Sequence, residues 1–281
     1  MREITGVGRM RCWSRQARAR GKTIALVPTM GFLHEGHLSL VRRARKQSDA
    51  VVMSIFVNPL QFGPKEDFKV YPRDLKRDRE LARREGCDVL FVPPSRQVYP
   101  KGFLTRVHVE GLQEGLCGAS RPGHFTGVCT VVLKLVNMVE PHVVLFGQKD
   151  AQQAVILRRM LRDLNVDVKV VVCPTLRERD GLAMSSRNRY LSDVERKKAL
   201  AISRSLFAAR ELVRGGERRA GRIKRKMKET LSRGGITRVE YVAVMDAREL
   251  VPLSVVRGEV LIAVAARVGK ARLIDNLKVR V

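Results

Sequence analysis

The chain has 281 residues, of which 44% are hydrophobic and 30% charged, and its 55 Lys and Arg against 28 Asp and Glu give a formal net charge of +27. No apolar run approaches the roughly 20 residues that a membrane-spanning helix needs, so we exclude an integral membrane protein and expect a globular chain. The five cysteines are odd in number, scattered and without any CxxC pair, which argues against a disulfide scaffold and a zinc knuckle. The N-terminus lacks the apolar core of a secretory signal, so we expect reduced thiols and a cytoplasmic location.

Short apolar runs alternate with amphipathic stretches as far as residue 173. The runs are rich in β-branched residues, which is typical of buried strands. The predicted strands cover residues 23–27, 50–57, 88–92, 142–146 and 166–173. The predicted helices between them cover residues 36–48, 72–85, 127–139 and 150–164. Strands that alternate with helices predict right-handed crossovers and a Rossmann-like parallel sheet of the α/β class.

The pattern changes after about residue 175. Apolar residues then recur at helical spacing, at Ala199, Ile202, Leu206, Ala209 and Val213. A strongly basic helix is predicted over residues 219–231, and strands over 239–245, 260–268 and 271–275, with Gly269-Lys270 as a hairpin turn. We therefore predict a Rossmann-like N-terminal domain over residues 1–175 and a smaller α+β C-terminal domain over residues 176–281.

The most informative segment, PTMGFLHEGH at residues 28–37, follows the first predicted strand and leads into a helix. Ligands of α/β sheets settle at such points, against helix N-termini. His34 and His37 are spaced so that both imidazoles can face one phosphate, and Gly36 lets a nucleotide approach the backbone. This is the HxGH motif of the nucleotidyltransferase superfamily, whose two histidines donate hydrogen bonds to ATP phosphates. A single histidine would more often be structural, but the pair in this context favours catalysis; a zinc protease is excluded because HEGH is not HExxH.

A second cluster, FGQKDAQQ at residues 146–153, lies at another predicted strand end before a helix. Lys149 can neutralise phosphate charge, and Gly147 permits close approach of a ligand. Gln153 lies one helical turn beyond Lys149 and can reach a hydroxyl or carboxylate in the same cleft. A Lys-Asp pair at a helix start is also a common cap, so this cluster alone leaves both interpretations open.

A third cluster, DGLAMSSRN at residues 180–188, follows the predicted sheet. The hydroxyls of Ser185 and Ser186 and the guanidinium of Arg187 are suited to grip triphosphate oxygens. The run resembles the mobile KMSKS-type loop of the same superfamily. Similar runs are common in turns, and the position after the sheet, where a lid is expected, favours the ligand-binding hypothesis.

Two amide side chains, Asn58 and Gln61, follow the second predicted strand in SIFVNPLQF, residues 54–62. Amides recognise hydroxyl and carboxylate groups without adding charge. This pattern suits a small hydroxy acid in a pocket walled by Phe56, Phe62 and Val131.

Taken together, the motifs make the chain similar to the pantoate–β-alanine ligase (pantothenate synthetase) family. Their order and spacing match in PTMGFLHEGH, SIFVNPLQF, YPRD, RPGHFTGV, FGQKDAQQ and DGLAMSSRNRYLS, and the closing ARLIDN extends the resemblance over nearly the whole chain. The resemblance implies a two-step reaction. The carboxylate of pantoate attacks the α-phosphorus of ATP and releases pyrophosphate, and the amine of β-alanine then attacks the pantoyl adenylate, giving pantothenate and AMP.

The same resemblance implies the site residues, with His37 as the usual proton donor and Gln61 and Gln153 holding pantoate. The catalytic residues are expected to be His34, His37, Lys149, Ser185, Ser186 and Arg187. The ATP contacts are expected to be Met30, Gly31, Phe32, Leu33, His34, Glu35, Gly36, His37, Gly147, Gln148, Lys149, Asp150, Leu176, Met184, Ser185, Ser186 and Arg187. The substrate contacts are expected to be Met30, Asn58, Gln61 and Gln153.

The resemblance also implies that residues 1–175 bind ATP and pantoate and that residues 176–281 act as a lid. Mg²⁺ is expected on the ATP phosphates, with its protein ligands, if any, left unknown. A homodimer is expected. Ala151 departs from the aromatic residue that many relatives have at this position, beside the expected pantoate pocket.

Two other classes of function stay open on the sequence alone. Another HxGH nucleotidyltransferase would use a phosphorylated acceptor and would need further cations for it, whereas Asn58, Gln61 and Gln153 are neutral. The charge suggests a nucleic-acid binder, but only 5% of residues are aromatic and no zinc-finger or RNA-recognition motif is present. We expect no specific nucleic-acid partner and no membrane association, and a salt-sensitive, non-specific affinity for nucleic acid stays open.

Overall fold

The computed structural model describes residues 1–64 and 66–281, which form two compact units. The first unit contains Met1–Gln113, Arg121–Gly147 and Ile156–Cys173. The second contains Glu114–Ser120, Gln148–Val155 and Pro174–Val281. Each unit is therefore built from separate stretches of chain. The assignment of substrate binding to residues 1–175 and of a lid to residues 176–281 stays a prediction.

A parallel sheet forms the centre of the first unit. Its strands are β1 (Arg2–Ile4), β2 (Ile24–Thr29), β3 (Ala50–Ile55), β4 (Val89–Phe91), β5 (Val143–Gly147) and β6 (Lys169–Cys173). Within residues 1–64 and 66–281 these six strands lie in the order β1-β4-β3-β2-β5-β6, and every neighbouring pair is parallel. The predicted α/β parallel sheet is thus confirmed. Strand β1 was not predicted, because three residues at a sheet edge, two of them charged, form no apolar run.

Helices cover the sheet. They are α1 (Val7–Ala19), α2 (Glu35–Arg45), α3 (Leu75–Arg84), α4 (Ser95–Val98), α6 (His124–Val139) and α7 (Ala151–Asp163). The short helix α5 (Cys117–Ser120) belongs to the second unit. Ala25 and Val27 of β2 pack with Leu38 and Val41 of α2. The residues of β2 that alternate with them, Ile24 and Leu26, are equally buried, so both faces of the sheet are covered. In the described part of the chain, no helix is long and apolar enough to cross a membrane.

The order of the strands reverses beside β2. From β2 the chain proceeds to β3 and β4 on one side, and later to β5 and β6 on the other. In open α/β sheets, ligands bind in the crevice at the carboxyl ends of the strands where this reversal occurs. The loops that follow Thr29 of β2 and Gly147 of β5 therefore begin at the favoured position.

The second unit has an antiparallel sheet and two long helices, α8 (Asp193–Arg214), α9 (Ala220–Arg233), β7 (Arg238–Asp246), β8 (Glu259–Val268) and β9 (Ala271–Arg280). The apolar residues predicted to line one face of α8 are all buried in the core of this unit. Val268 pairs with Ala271 across Gly269-Lys270, and Gly269 has φ +55°, so the predicted hairpin is confirmed. The predicted α+β character of this region is likewise confirmed.

Each of the five cysteines lies in the described chain as a free thiol, and they differ in accessibility. Cys12 is exposed, while Cys87, Cys117, Cys129 and Cys173 are buried. Burial raises the pKa of Cys87 and the pKa of Cys129 to about 12. Because the thiolate is the reactive form, these two thiols are inert at neutral pH.

Candidate active site

His34 and His37 lie at the start of α2, directly after the loop that leaves β2. Their rings are stacked, with centroids 4.0 Å apart and planes inclined by 29°. Nδ1 of His37 accepts a hydrogen bond of 3.3 Å from the backbone N–H of His34. An accepting Nδ1 has no proton, so the neutral ring of His37 is protonated at Nε2, and that atom can donate a hydrogen bond.

A buried carboxylate holds the loop between β2 and α2. Asp78 of α3 is 1% exposed and accepts hydrogen bonds from the backbone N–H groups of Phe32, at 2.8 Å, and Leu33, at 2.7 Å. Phe32 has φ +50°, a left-handed conformation that is unfavourable for a bulky residue. Burial raises the pKa of Asp78, and the two backbone N–H donors oppose that rise. Asp78 was not predicted from the sequence, and it positions the loop that leads into the two histidines.

Replacing Asp78 tests this anchor. Asp78→Ala leaves the N–H groups of Phe32 and Leu33 without their acceptor, so we expect the free energy of unfolding to fall by about 1–3 kcal/mol. Urea unfolding at neutral pH measures this change. Glu80→Ala, which removes an exposed carboxylate from the same helix, is the matched control and should have little effect. Equal stability of the two variants would contradict the anchoring role.

Two of the predicted substrate amides, Asn58 and Gln61, lie together beside Met30. Gln61 Nε2 lies 3.1 Å from Met30 Sδ, and Asn58 Nδ2 donates to Gln61 Oε1 at 3.1 Å and to Gly127 O at 3.0 Å. The Oδ1 atom of Asn58 accepts from the Tyr99 hydroxyl at 2.7 Å. Asn58 is 1% exposed, so its amide is used within the protein and orients Gln61. Direct contact of Asn58 with a substrate stays a prediction.

The RPGHFTGV motif fixes the backbone of the same turn. His124 Nδ1 lies 2.8 Å from the carbonyl oxygen of Gln61, and Arg121 donates to that oxygen at 3.3 Å. Arg121 also forms a two-pronged ion pair with Glu66, with both N–O distances 2.6 Å. Burial is the largest single influence on the pKa of Glu66 and acts to raise it. The opposing interactions, chiefly the hydrogen bonds and charge of Arg121, together outweigh burial, so the pKa of Glu66 is lowered. No role for Arg121 or His124 was predicted from the sequence, and both residues position Gln61.

Helix α6 packs directly onto this turn because Gly127 has no side chain. A Cβ atom at Gly127 would lie 2.3 Å from the carbonyl oxygen of Leu60 and 2.6 Å from the backbone nitrogen of Gln61. Both neighbours are backbone atoms, which cannot move aside as a side chain can. Of the predicted pocket walls, Phe56 and Val131 are buried in this same unit.

In the second unit the structure brings Lys149 and Ser185 together around one small cavity, which Asn188 and Asp275 also line. Lys149 lies in a 3₁₀ turn, Gln148–Asp150, that leads directly into α7, so the predicted strand-to-helix junction is confirmed. The cavity is therefore lined by one residue with an ammonium group and by one with a hydroxyl group.

The segment that contains Leu176 and Ser185 is a closed loop. The backbone N–H of Met184 donates to the carbonyl oxygen of Leu176 at 3.0 Å, and Ser185 Oγ accepts from the N–H of Arg187 at 3.3 Å. Asn188 Nδ2 donates to a carboxylate oxygen of Glu178 at 2.6 Å. These bonds hold the predicted ATP contacts of this segment, Leu176 and residues 184–187, in one hairpin.

The structure divides the predicted site residues between the two units. The first unit contains Met30, Gly31, Phe32, Leu33, His34, Glu35, Gly36, His37, Asn58, Gln61 and Gly147. The second contains Gln148, Lys149, Asp150, Gln153, Leu176, Met184, Ser185, Ser186 and Arg187. Their joint action on one ATP stays a prediction.

Comparison with known proteins finds close similarity along the whole chain. A family model described as pantoate-beta-alanine ligase matches residues 2–278. A pantothenate synthetase of Heliobacterium modesticaldum is 57% identical over 281 residues, covering 100% of both chains, and one of Thermotoga neapolitana is 55% identical over 276 residues, covering 98% of this chain and 99% of the relative.

Solved structures agree with these sequence matches. The pantothenate synthetase of Thermus thermophilus is similar with a TM-score of 0.93 and 48% identity, covering 99% of both chains. The pantoate-beta-alanine ligase of Francisella tularensis, complexed with beta-gamma ATP and beta-alanine, is similar with a TM-score of 0.79 and 32% identity, covering 99% of this chain and 97% of the other.

Proposed function

The chain belongs to the pantoate–β-alanine ligase family, and from that membership we propose how its own residues catalyse the reaction. The enzyme condenses pantoate with β-alanine and converts ATP to AMP and pyrophosphate. In the first step a carboxylate oxygen of pantoate forms a bond to the α-phosphorus as pyrophosphate leaves. In the second step the amine nitrogen of β-alanine forms the amide bond, the acyl–oxygen bond to AMP breaks, and the amine loses a proton.

The observation that carries the catalytic proposal is the placement of His34 and His37 at the N-terminus of α2. Negative charge builds on the phosphate oxygens while pantoate attacks. The Nε2–H group of His37 can donate to such an oxygen, and the helix N-terminus favours the same charge. We propose that the two imidazoles stabilise the transition state at the α-phosphate.

The polar groups of the second unit are assigned to the triphosphate. We propose that Lys149, Ser185, Ser186 and Arg187 neutralise the leaving pyrophosphate, which suits their positive charge and donor hydrogens. Gln61 and Gln153 are assigned to the hydroxyl and carboxylate groups of pantoate. The oriented amide of Gln61 supports this assignment. No side-chain nucleophile is needed.

We propose that Mg²⁺ accompanies ATP, bound to phosphate oxygens and water. Among residues 1–64 and 66–281, no three His, Cys, Asp or Glu side chains form a group that could hold a metal ion. Hard phosphate oxygens are the ligands that this cation prefers, and it would neutralise charge on the leaving pyrophosphate. The cytoplasmic location, the homodimer and the lid role of residues 176–281 stay predictions.

The substrate requirement of AMP release tests the activity. With Mg-ATP, we expect pantoate alone to support pyrophosphate–ATP exchange, and AMP to accumulate only when β-alanine is also present. Glycine, which is one methylene shorter than β-alanine, is the matched control amine. AMP formation without pantoate, or with a phosphorylated acceptor in its place, would overturn the proposal in favour of another HxGH nucleotidyltransferase.

A further inference from the structure

The closing ARLIDN motif places two polar residues in the middle of β9, where both are buried. Asp275 is 3% exposed and Asn276 is 5% exposed. Successive side chains of a strand point to opposite faces. Leu273 and Val279, which share the face of Asp275, belong to the core of the second unit. Asn276 is therefore buried on the other face, and something other than that core must cover it.

The side chain of Asn276 is covered by the turn that carries Lys149. Its Nδ2 atom donates to the carbonyl oxygen of Gln148 at 3.0 Å and to that of Lys149 at 2.8 Å. Its Oδ1 atom accepts from Gln148 Nε2 at 2.9 Å. Both hydrogens of the amide group thus bind backbone carbonyls of one 3₁₀ turn, Gln148–Asp150.

Asp275 holds the loop that contains Leu176, through the side chain of Arg177. Its carboxylate accepts two hydrogen bonds from Arg177, at 2.6 and 3.0 Å, and one from the backbone N–H of Asn276, at 2.7 Å. Arg177 lies beside Leu176 and donates to the carbonyl oxygen of Gly181 at 3.1 Å. Two adjacent residues of β9 therefore fasten both segments of the second unit that contain predicted ATP contacts.

We propose that Asn276 is a positioning residue for Lys149. A lysine side chain is long and flexible, so the place of its ammonium group depends on a fixed backbone. By binding the carbonyl groups of Gln148 and Lys149, Asn276 sets the point from which the lysine extends towards the cavity that Lys149 shares with Ser185. The inference rests on the proposed role of Lys149 in adenylation.

Steady-state kinetics and a double-mutant cycle test the proposal. Because misplacement of a catalytic group by about 1 Å can cost about a hundredfold, we expect Asn276→Ala to lower kcat for adenylation at least about tenfold while KM for β-alanine stays unchanged. In a Lys149→Ala background, Asn276→Ala should cause no further loss, because its effect passes through the lysine. A residue that only stabilises the strand would lower the rate by the same factor in both backgrounds.

Two further variants complete the design. Asn276→Asp keeps the shape of the side chain but removes both donors, so it should lose as much activity as Asn276→Ala, and it replaces that variant if the alanine chain does not fold. Lys278→Ala is the matched control, because Lys278 lies on the same face of β9 and contacts Glu259 instead, at 3.6 Å. It should retain the activity of the unaltered enzyme.

The outcomes separate this inference from the proposed function. If Lys149→Ala keeps near-normal adenylation, the role of Lys149 fails and the inference fails with it. If Lys149→Ala loses activity while Asn276→Ala does not, or if the two losses multiply in the double variant, the positioning role is overturned and the role of Lys149 stands.

Discussion

His37→Ala and Lys149→Ala should each lower the rate of pantoyl adenylate formation about a hundredfold or more, which is the loss seen when one transition-state donor is removed. His37 offers an Nε2–H group at the start of α2, and Lys149 offers a positive charge and lines one cavity with Ser185. Both contributions increase as charge develops on the phosphates, so kcat should fall more than KM for ATP rises. Pyrophosphate–ATP exchange in the presence of pantoate, without β-alanine, measures this step alone.

Matched controls lie in the first unit. Arg43→Ala removes an exposed cation from the helix that carries His37, and Lys169→Ala removes an exposed lysine from β6. Both should exchange pyrophosphate at the rate of the unaltered enzyme, and thermal unfolding should confirm that all four variants fold. Near-normal exchange by His37→Ala or by Lys149→Ala would remove that residue from the proposed mechanism.

Gly127→Ala should weaken pantoate binding by displacing the backbone of the turn Pro59–Gln61. The added methyl group would meet the carbonyl oxygen of Leu60 at 2.3 Å and the nitrogen of Gln61 at 2.6 Å, so α6 and the turn Pro59–Gln61 must separate. Overpacking of this kind costs about 1–3 kcal/mol of stability. Because Asn58 and His124 both tie Gln61 to α6, we expect KM for pantoate to rise at least about tenfold, the effect of losing one or more hydrogen bonds to the substrate.

Asn137→Ala is the control for this prediction, since Asn137 is an exposed position of the same helix. It should leave KM for pantoate unchanged. Initial rates at saturating ATP and β-alanine, with pantoate varied, compare the two variants. A Gly127→Ala enzyme with unaltered KM for pantoate would show that the turn tolerates the displacement or that Gln61 does not bind pantoate.

The sequence predicted those features that depend on local patterns. Ala25 and Val27 lie in a continuous apolar run, which indicates a strand buried on both faces, and such a strand formed. The spacing of His34 and His37 at a helix start brings the two rings together whatever the rest of the fold does. Helix α1 was missed because its buried face consists of Met10, Ser14 and Ala17, and the polar Ser14 interrupts the apolar helical spacing.

Contacts between distant parts of the chain could not be predicted in this way. Asp78 looks like one more charge in a basic helix, and its bonds to Phe32 and Leu33 appear only once α3 is packed. The predicted end of the last strand at residue 275 illustrates the same limit. The strand continues to Arg280, but Asp275 and Asn276 interrupt the apolar pattern because they hold two loops instead of filling the core.

The distribution of thiols has a practical consequence for spectroscopy on this enzyme. Cys12 is exposed on α1, whereas the other cysteines are shielded within the two units. A maleimide fluorophore should therefore attach at Cys12 alone, with no cysteine removed by mutagenesis.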